Sequence, residues 1–344
     1  MIWLTWRQFR AQAIVAATAL VAVAIALAIT GPHMASLFDS SGLATCRTGC
    51  GRDASNFVNE VNGSATKLIF YGGIILLYLV PALIGLFWGA PLIARESEAG
   101  THQLAWNQSV TRTRWVAIKL GLIGLAAVAT AGLLSLMISW WASPLYQAAQ
   151  KGGQNGLSID RLVPPLFGAT GIAPVGYAAF AFALGVTAGV LIRRTIPAMA
   201  VTLVIFAAVQ SLMPILIQPH LIPPLQATAP FNANQANEIM ITSPGNTITV
   251  VGNYSHPGAW ILSNKTIIPS GRVFTGPAAR ACTSSSAAPQ QCINWLNSLH
   301  LRQLVTYQPA SRFWPLQWAE LGIYLVLAAG LGWLSVWQVR RRRA

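Results

Sequence analysis

The chain is 344 residues long, 54% hydrophobic and only 9% charged, with a formal net charge of +14 and a mean hydropathy of +0.53. Soluble domains carry about a quarter charged residues, so this composition excludes a water-soluble protein and specifies an integral membrane one. The basic excess does not specify a nucleic-acid partner, because no run of bases is interleaved with aromatics in a polar domain.

A membrane-crossing helix rises about 1.5 Å per residue and needs roughly 20 apolar residues to cross about 30 Å of hydrocarbon. The opening "MIWLTWRQFR" sets Trp3, Trp6, Arg7 and Arg10 at helical spacing. That suits a short interfacial helix with aromatics at headgroup depth, or a plain extension of the first span. The first span is the apolar run 11–30. It is long for the apolar core of a cleaved signal peptide, and its removal would leave an odd number of spans. A loop over 31–66 holds Cys46 and Cys50, and the second span follows at 68–93. Residues 94–121, "ARESEAGTHQLAWNQSVTRTRWVAIKLG", then combine acids, bases and hydroxyls more densely than any other part of the chain.

The third run, 116–142, is followed by a loop over 143–165 and a fourth run at 166–192. Arg193 and Arg194 lead into the fifth, 195–218, whose Pro197 and Pro214 lie near its ends. Within 219–312, "NTITVVGNY" and "GAWILSNKTIIPSGRVF" place β-branched residues between turn formers and predict short strands. In "QQCINWLNSLHLRQLV", Ile293, Leu296, Leu299 and Leu304 follow a helical pattern, and Cys282 and Cys292 fall in the same region. The sixth run, 315–338, carries Glu320 near one end, with Phe313, Gln317 and Glu320 on one helical face. A carboxylate facing lipid is costly, so that face points into the protein or a pathway, unless Glu320 simply reaches the headgroups.

Short segments next to spans carry their excess Lys and Arg on the cytoplasmic side. Arg7, Arg10, Arg95, Arg112, Arg114, Lys119, Arg193, Arg194 and Arg340 to Arg343 share one side if six spans leave both termini inside. The bases of the other side are spread over much longer segments. All four cysteines then face outward, where disulfides persist. Three connectivities are open; the local pairs Cys46–Cys50 and Cys282–Cys292 are expected, with a metal site as the alternative that lacks nearby His or acid ligands. The fold class is an all-α multi-pass membrane protein with six transmembrane helices and both termini cytoplasmic. A small mixed α/β extracytoplasmic domain lies between helices 5 and 6. The domain bounds are 1–218 for helices 1–5, with the N-terminal interfacial helix and a cytoplasmic loop at 94–118; 219–312 for the outer domain; and 313–344 for helix 6 and its basic tail.

No G-x-x-x-x-G-K-[ST] phosphate loop occurs, so the chain does not hydrolyse nucleotide by that route. Ion-driven carriers place ionisable groups within the bilayer, and here Glu320 stands almost alone in that position. His33, His102, His220, His256 and His300 are scattered singly, without H-E-x-x-H or G-x-S-x-G patterns. No catalytic residue, metal site or cofactor is therefore expected.

In the polar stretch, Thr101 can cap a short helix whose start favours Glu96 and Glu98, and Leu104 and Trp106 give that helix an apolar side. Ser109 or Thr111 offers a second cap, while Arg112, Arg114 and Lys119 anchor the third span at the headgroups. A loop whose charges merely stop translocation is the plainer reading. The pattern R-E-x-E-x-G-T, then L, S-x-T-R and K resembles the loop between the second and third spans of ABC-2 type transporter permeases. Arg95, Glu96, Glu98, Gly100, Thr101, Leu104, Ser109, Arg112 and Lys119 carry the resemblance. The opening "MIWLTWRQFR", the six-span layout and the end "YQPASRFWPLQWAE" (Tyr307 to Glu320) are similar to actinobacterial members of that group. The large region before span six departs from its minimal members.

The resemblance implies that residues 94–118 form a coupling helix seated in a separate ATP-binding cassette subunit. Glu96, Glu98, Gly100, Thr101, Leu104, Ser109 and Arg112 would then serve the coupling. It implies a non-enzymatic permease subunit of an exporter in a bacterial plasma membrane, working with a second permease copy as a homodimer or heterodimer. Gln317 and Glu320 are candidate pathway residues, and the apolar spans suit a lipid-like or drug-like substrate. The alternatives are a non-transporting membrane receptor or scaffold with an outer domain, and an ion-coupled carrier.

Overall fold

The computed structural model describes residues 2–98, 112–152, 160–242, 247–254, 256–277, 279–283 and 289–341. It divides into two compact units, Met1–Leu221 with Phe313–Ala344, and Ile222–Arg312. Among the described residues, six helices are long and apolar enough to cross a membrane: Phe9–Ser40, Thr66–Arg95, Arg114–Trp141, Ala173–Ile192, Thr195–His220 and Ala310–Arg341.

The first span lies within α1 (Ile2–Ser40), one continuous helix. The opening residues are its first turns and not a separate interfacial helix, since neither glycine nor proline precedes Gly31 to interrupt it. α1 also runs through Pro32 to Ser40, past the expected end at residue 30. The remainder of the first loop contains α2 (Gly51–Asn62), whose Ala54, Phe57, Val58 and Val61 are all buried. That is the i, i+3, i+4, i+7 pattern of an amphipathic helix.

α3 (Thr66–Ile84) passes into a π-helical turn at Gly85–Gly89 and then into α4 (Pro91–Glu98). Next come α5 (Arg112–Trp141), α6 (Ser143–Gln150), α7 (Pro164–Phe167), α8 (Ala173–Ile192) and α9 (Thr195–Leu212), with a second π-helical turn at Met213–Ile217. The segment 143–165 is thus partly helical. The fourth span begins at Ala173 rather than 166, because Gly171 takes a left-handed turn (φ 64°) and Pro174 is suited to a first helical turn.

The second unit has strands β1 (Leu225–Pro230), β2 (Ala236–Thr242), β3 (Thr247–Gly252), β4 (Trp260–Ile267), β5 (Gly276–Pro277) and β6 (Arg302–Gln308). Helices α10 (Arg280–Thr283) and α11 (Pro289–Ser298) precede β6. The strands form two antiparallel sheets, ordered β1-β6-β4 and β2-β3-β5. Phe231, Ile248, Val250, Leu296 and Leu301 form its core. Leu304 does not continue the helix begun at Ile293 and Leu296: it lies in β6, opposite Thr228 and Lys265. His300, at φ 49°, ends the helical run, and the β-branched and aromatic Val305, Thr306 and Tyr307 favour the strand.

α12 (Phe313–Arg341) returns the chain to the first unit. There α8 is the hub, packing against α3, the Gly85–Gly89 turn, α4, α5, α9 and α12. Nearly all of its residues are buried, as expected of a helix that is apolar on every side. Burial in lipid adds no hydrophobic gain between helices, so close packing of small residues must hold them. A Cβ on Gly85 would lie 2.7 Å from Ala181 O, and one on Gly89 would lie 2.6 Å from Phe182 O. At one end of the unit Phe9, Ile93, Trp115, Val190 and Val339 form a single cluster. Leu27, Phe38, Phe57, Phe70, Ile138 and Tyr146 belong to another.

Candidate functional site

Two groupings of polar side chains stand out in the first unit. One lies where α4 ends and residues 99–111 begin. Glu98 is the last residue of α4, and it reaches the start of α9. Thr195 donates its backbone N–H to Glu98 Oε1 at 2.9 Å and its hydroxyl to Oε2 at 2.6 Å. The carboxylate so satisfies an amide that the first turn of α9 leaves free, at the positive end of the helix dipole. The Thr195 hydroxyl and amide, with a smaller contribution from Arg194, hold the Glu98 carboxyl below its ordinary pKa.

The local sequence makes this meeting possible. Arg193 adopts a left-handed conformation (φ 58°) that ends α8 and turns the chain into α9. Ala90, Ala188 and Ala198 pack together beside it, letting the start of α4 approach α8 and α9 closely.

Of the other expected coupling residues, Glu96 lies in the last turn of α4 and Arg112 is the first residue of α5. Gly100, Thr101, Leu104 and Ser109 lie outside the described residues. Lys119, expected to anchor the third span, is turned into the protein: it is only 3% exposed, with Nζ 4.5 Å from the centroid of the Trp115 ring. A cation over the face of tryptophan is attracted by the ring quadrupole, which offsets part of the loss of water.

The second grouping surrounds the candidate pathway residues of α12. Phe313, Gln317 and Glu320 are all buried. Gln317 Oε1 accepts from the backbone amides of Ile172, at 3.0 Å, and Ala173, at 2.9 Å. Its Nε2 donates to Phe167 O at 2.9 Å. Gln317 thus ties α12 to the start of α8, and a Cβ on Gly171 would come within 3.0 Å of its Oε1. Glu320 Oε1 accepts from the Tyr177 hydroxyl at 2.6 Å, while the buried Oε2 has no hydrogen-bond partner. Tyr177 stacks on Tyr78 and meets Tyr324 edge to face, and Tyr324 donates to Gln210 Oε1 at 3.3 Å. Carboxylate, phenols and amide therefore form one cluster linking α3, α8, α9 and α12.

Sequence reasoning singled out neither Thr195 nor the three tyrosines. Thr195 follows a pair of bases at the start of a span, an ordinary helix-start signal. Tyr78, Tyr177 and Tyr324 each place a polar tip inside an apolar run, which is the readable sign that a partner must lie nearby.

Disulfides join Cys46 to Cys50 and Cys282 to Cys292. Among the described residues, no three His, Cys, Asp or Glu side chains gather as a metal site.

A bundle of six apolar helices built around a glycine- and alanine-rich hub defines a multi-pass membrane protein. Residues 17–218, more than half of the chain, match the family described as ABC-2 membrane transporter related, and the chain belongs to that family. The match runs from the first span to the end of the fifth. No curated protein and no solved structure matches the chain.

Proposed function

We propose that this chain is the membrane-spanning permease subunit of an ABC exporter, powered by ATP hydrolysed on a separate ATP-binding cassette subunit. It works beside a second permease copy in a bacterial plasma membrane. Both termini and residues 94–118 face the cytoplasm, and residues 219–312 form the domain on the outer side. The family match over residues 17–218 carries this reading, because it includes the whole polar loop together with the spans on either side of it.

The geometry at Glu98 supports a division of roles within that loop. Glu98 has both carboxylate oxygens engaged by Thr195, so its part is to pass movement of the loop to the start of α9. Contact with bases on the ATP-binding subunit falls to Glu96. Gly100, Thr101, Leu104, Ser109 and Arg112 complete the docking segment. Phe9 and Val339 share one cluster with Trp115 and Val190, which favours placing both termini on the loop's side. Within the bundle, Gln317 braces α8 against α12, and Glu320 is the group left to face a pathway. The apolar spans favour a lipid-like or drug-like substrate.

Affinity purification of the chain, co-expressed with candidate ATP-binding cassette subunits of its source cell, tests the proposal. The expected result is a complex whose ATP hydrolysis is coupled to substrate. Truncating one member of a desolvated charge pair costs about 2–5 kcal/mol, so Glu96→Ala is expected to release the partner while the chain still inserts. A correctly inserted wild-type chain that retains no ATP-binding subunit would sink the reading. One feature favours an ion-coupled carrier instead, the unpartnered and buried Oε2 of Glu320. Uptake by vesicles containing this chain alone, driven by a proton gradient and lost in Glu320→Gln, would establish that second reading.

A further inference from the structure

A groove of about 500 Å³ runs between α1 and α3 and is floored in part by α5. This volume is in the range that accepts a small-molecule-sized body. Along α1 the lining includes Ala11, Val15, Ala19 and Val23, a row at i, i+4 spacing. At about 1.5 Å per residue this row is about 18 Å long. Across from it stand Leu76, Val80 and Leu83 of α3 and Phe87 and Trp88 of the π-helical turn. The polar side chains Gln12 and Thr130 are already engaged within the protein. Gln12 Nε2 donates to Phe87 O at 3.0 Å and Thr130 Oγ1 to Ala126 O at 2.8 Å. The walls therefore suit an occupant that is long, narrow and apolar.

The mouth of the groove suggests what the occupant carries at its end. One helical turn before Ala11, the same row of α1 presents Arg7, and Arg10 immediately precedes Ala11; both are exposed. The Arg7 guanidinium lies 5.4 Å from the ring centroid of Trp3, itself exposed, as an aromatic at headgroup depth would be. A positively charged rim beside an apolar channel in a membrane-crossing segment complements an amphiphile with an anionic head and a hydrocarbon tail.

We propose that this groove is a binding site for one acyl chain of an anionic phospholipid, whose phosphate is held by Arg7. The lipid fills the space between α1 and α3. It is a bound component of the subunit, whether or not the subunit exports lipid.

The test uses the full-length chain, taken into detergent from vesicles of equal parts phosphatidylcholine and phosphatidylglycerol. Native mass spectrometry then counts the lipids retained. The wild type is expected to keep one phosphatidylglycerol in preference to phosphatidylcholine. Ala19→Trp, at an exposed position inside the groove, should remove that lipid. Ala17→Trp, exposed at similar depth but outside the groove, should keep it and report that a bulky residue on α1 is tolerated. A basic residue near an anionic surface contributes enough to change retention about fivefold. Arg7→Gln should therefore lower the preference for phosphatidylglycerol by about that factor while leaving phosphatidylcholine binding intact. Retention in Ala19→Trp equal to wild type would overturn the proposal, as would an unchanged lipid preference in Arg7→Gln. Loss of a dimer in Ala19→Trp would assign the groove to a second copy of the chain and also overturn it.

Discussion

Replacing Gly185 by alanine puts the hub of the helical unit to a direct test. A Cβ at that position would fall on Gly85 O, and would lie 2.8 Å from Ala90 N and 3.0 Å from Gly89 Cα. All three are backbone atoms, so no side chain can rotate away. Apolar heavy atoms rest at about 3.5–4.0 Å, which means α8 and the Gly85–Gly89 turn must move apart by about 1 Å. Overpacking typically costs about 1–3 kcal/mol, and the rigid backbone on both sides places this case near the upper end. Alanine returns up to about 1 kcal/mol of intrinsic helix preference over glycine. The net expectation is a loss of about 2 kcal/mol. Gly330 in α12 is the control, because a Cβ there meets nothing within 4 Å; Gly330→Ala should be neutral or stabilising. Unfolding of the full chain in mixed micelles, followed by steric trapping or by titration with denaturing detergent, measures both. A Gly185→Ala protein as resistant as wild type would refute the backbone contact. So would an equal loss in Gly330→Ala, since the sensitivity would then belong to glycine replacement in general.

Three further outcomes are expected. Gln317→Leu leaves the half-buried amide of Ile172 and the buried amide of Ala173 without their acceptor, and at about 1–3 kcal/mol for an unmet buried group the same unfolding assay should show a loss of about 2–3 kcal/mol, against no change for the exposed Trp318→Leu. The Glu98 carboxyl titrates lower in the folded chain, so its link to Thr195 is fully present above the ordinary carboxylate value of about 4.3 and is lost as pH falls through the lower folded value; the protection of amides in the first turn of α9, relative to their intrinsic exchange rate at each pH, should stay constant from neutral pH down to that range and fall only in stronger acid, and Thr195→Val should move that fall to higher pH. A membrane-impermeant thiol reagent applied outside intact cells should label none of Cys46, Cys50, Cys282 and Cys292 before reduction and all four after it, while closing the ten-residue separation of Cys282 and Cys292 should contribute about 3 kcal/mol of stability; labelling only from the cytoplasmic face would overturn the six-span orientation.

The apolar runs are legible because each reaches the length of roughly 20 residues that a bilayer demands, and a single bonded pattern, the helix, can fill such a run. What composition could not give was where a helix ends outside the bilayer. α1 continues past residue 30 through Pro32 because proline removes one hydrogen bond, whereas the residues around it keep theirs. α2 was readable in principle, since Ala54, Phe57, Val58 and Val61 repeat at helical spacing inside a segment read as loop. Leu304 shows the opposite case: the helical period of the sequence runs on across His300, but there the backbone turns left-handed and a strand follows from Arg302.

The candidate site was less legible for a physical reason. Its key contacts join residues far apart in the chain: Glu98 with Thr195, 97 positions on, and Tyr177 with Glu320, 143 positions on. Sequence reasoning marked one partner of each pair, the acid, because acids are scarce here and expensive near hydrocarbon. The partners, a threonine and tyrosines, are common in membrane helices and carried no comparable signal. Placement of both acids nevertheless follows one rule. Each sits where another helix offers donors it cannot use itself, a free first-turn amide at Thr195 and a phenol inside the bundle at Tyr177. For Glu98 that rule has a mechanical consequence: the end of α4 is fastened to α9 by groups that tolerate rotation poorly, since two donors from a single residue fix the carboxylate plane. In the proposed function, a pull on the end of α4 is passed to Thr195, and so to the first turn of α9, through those two hydrogen bonds.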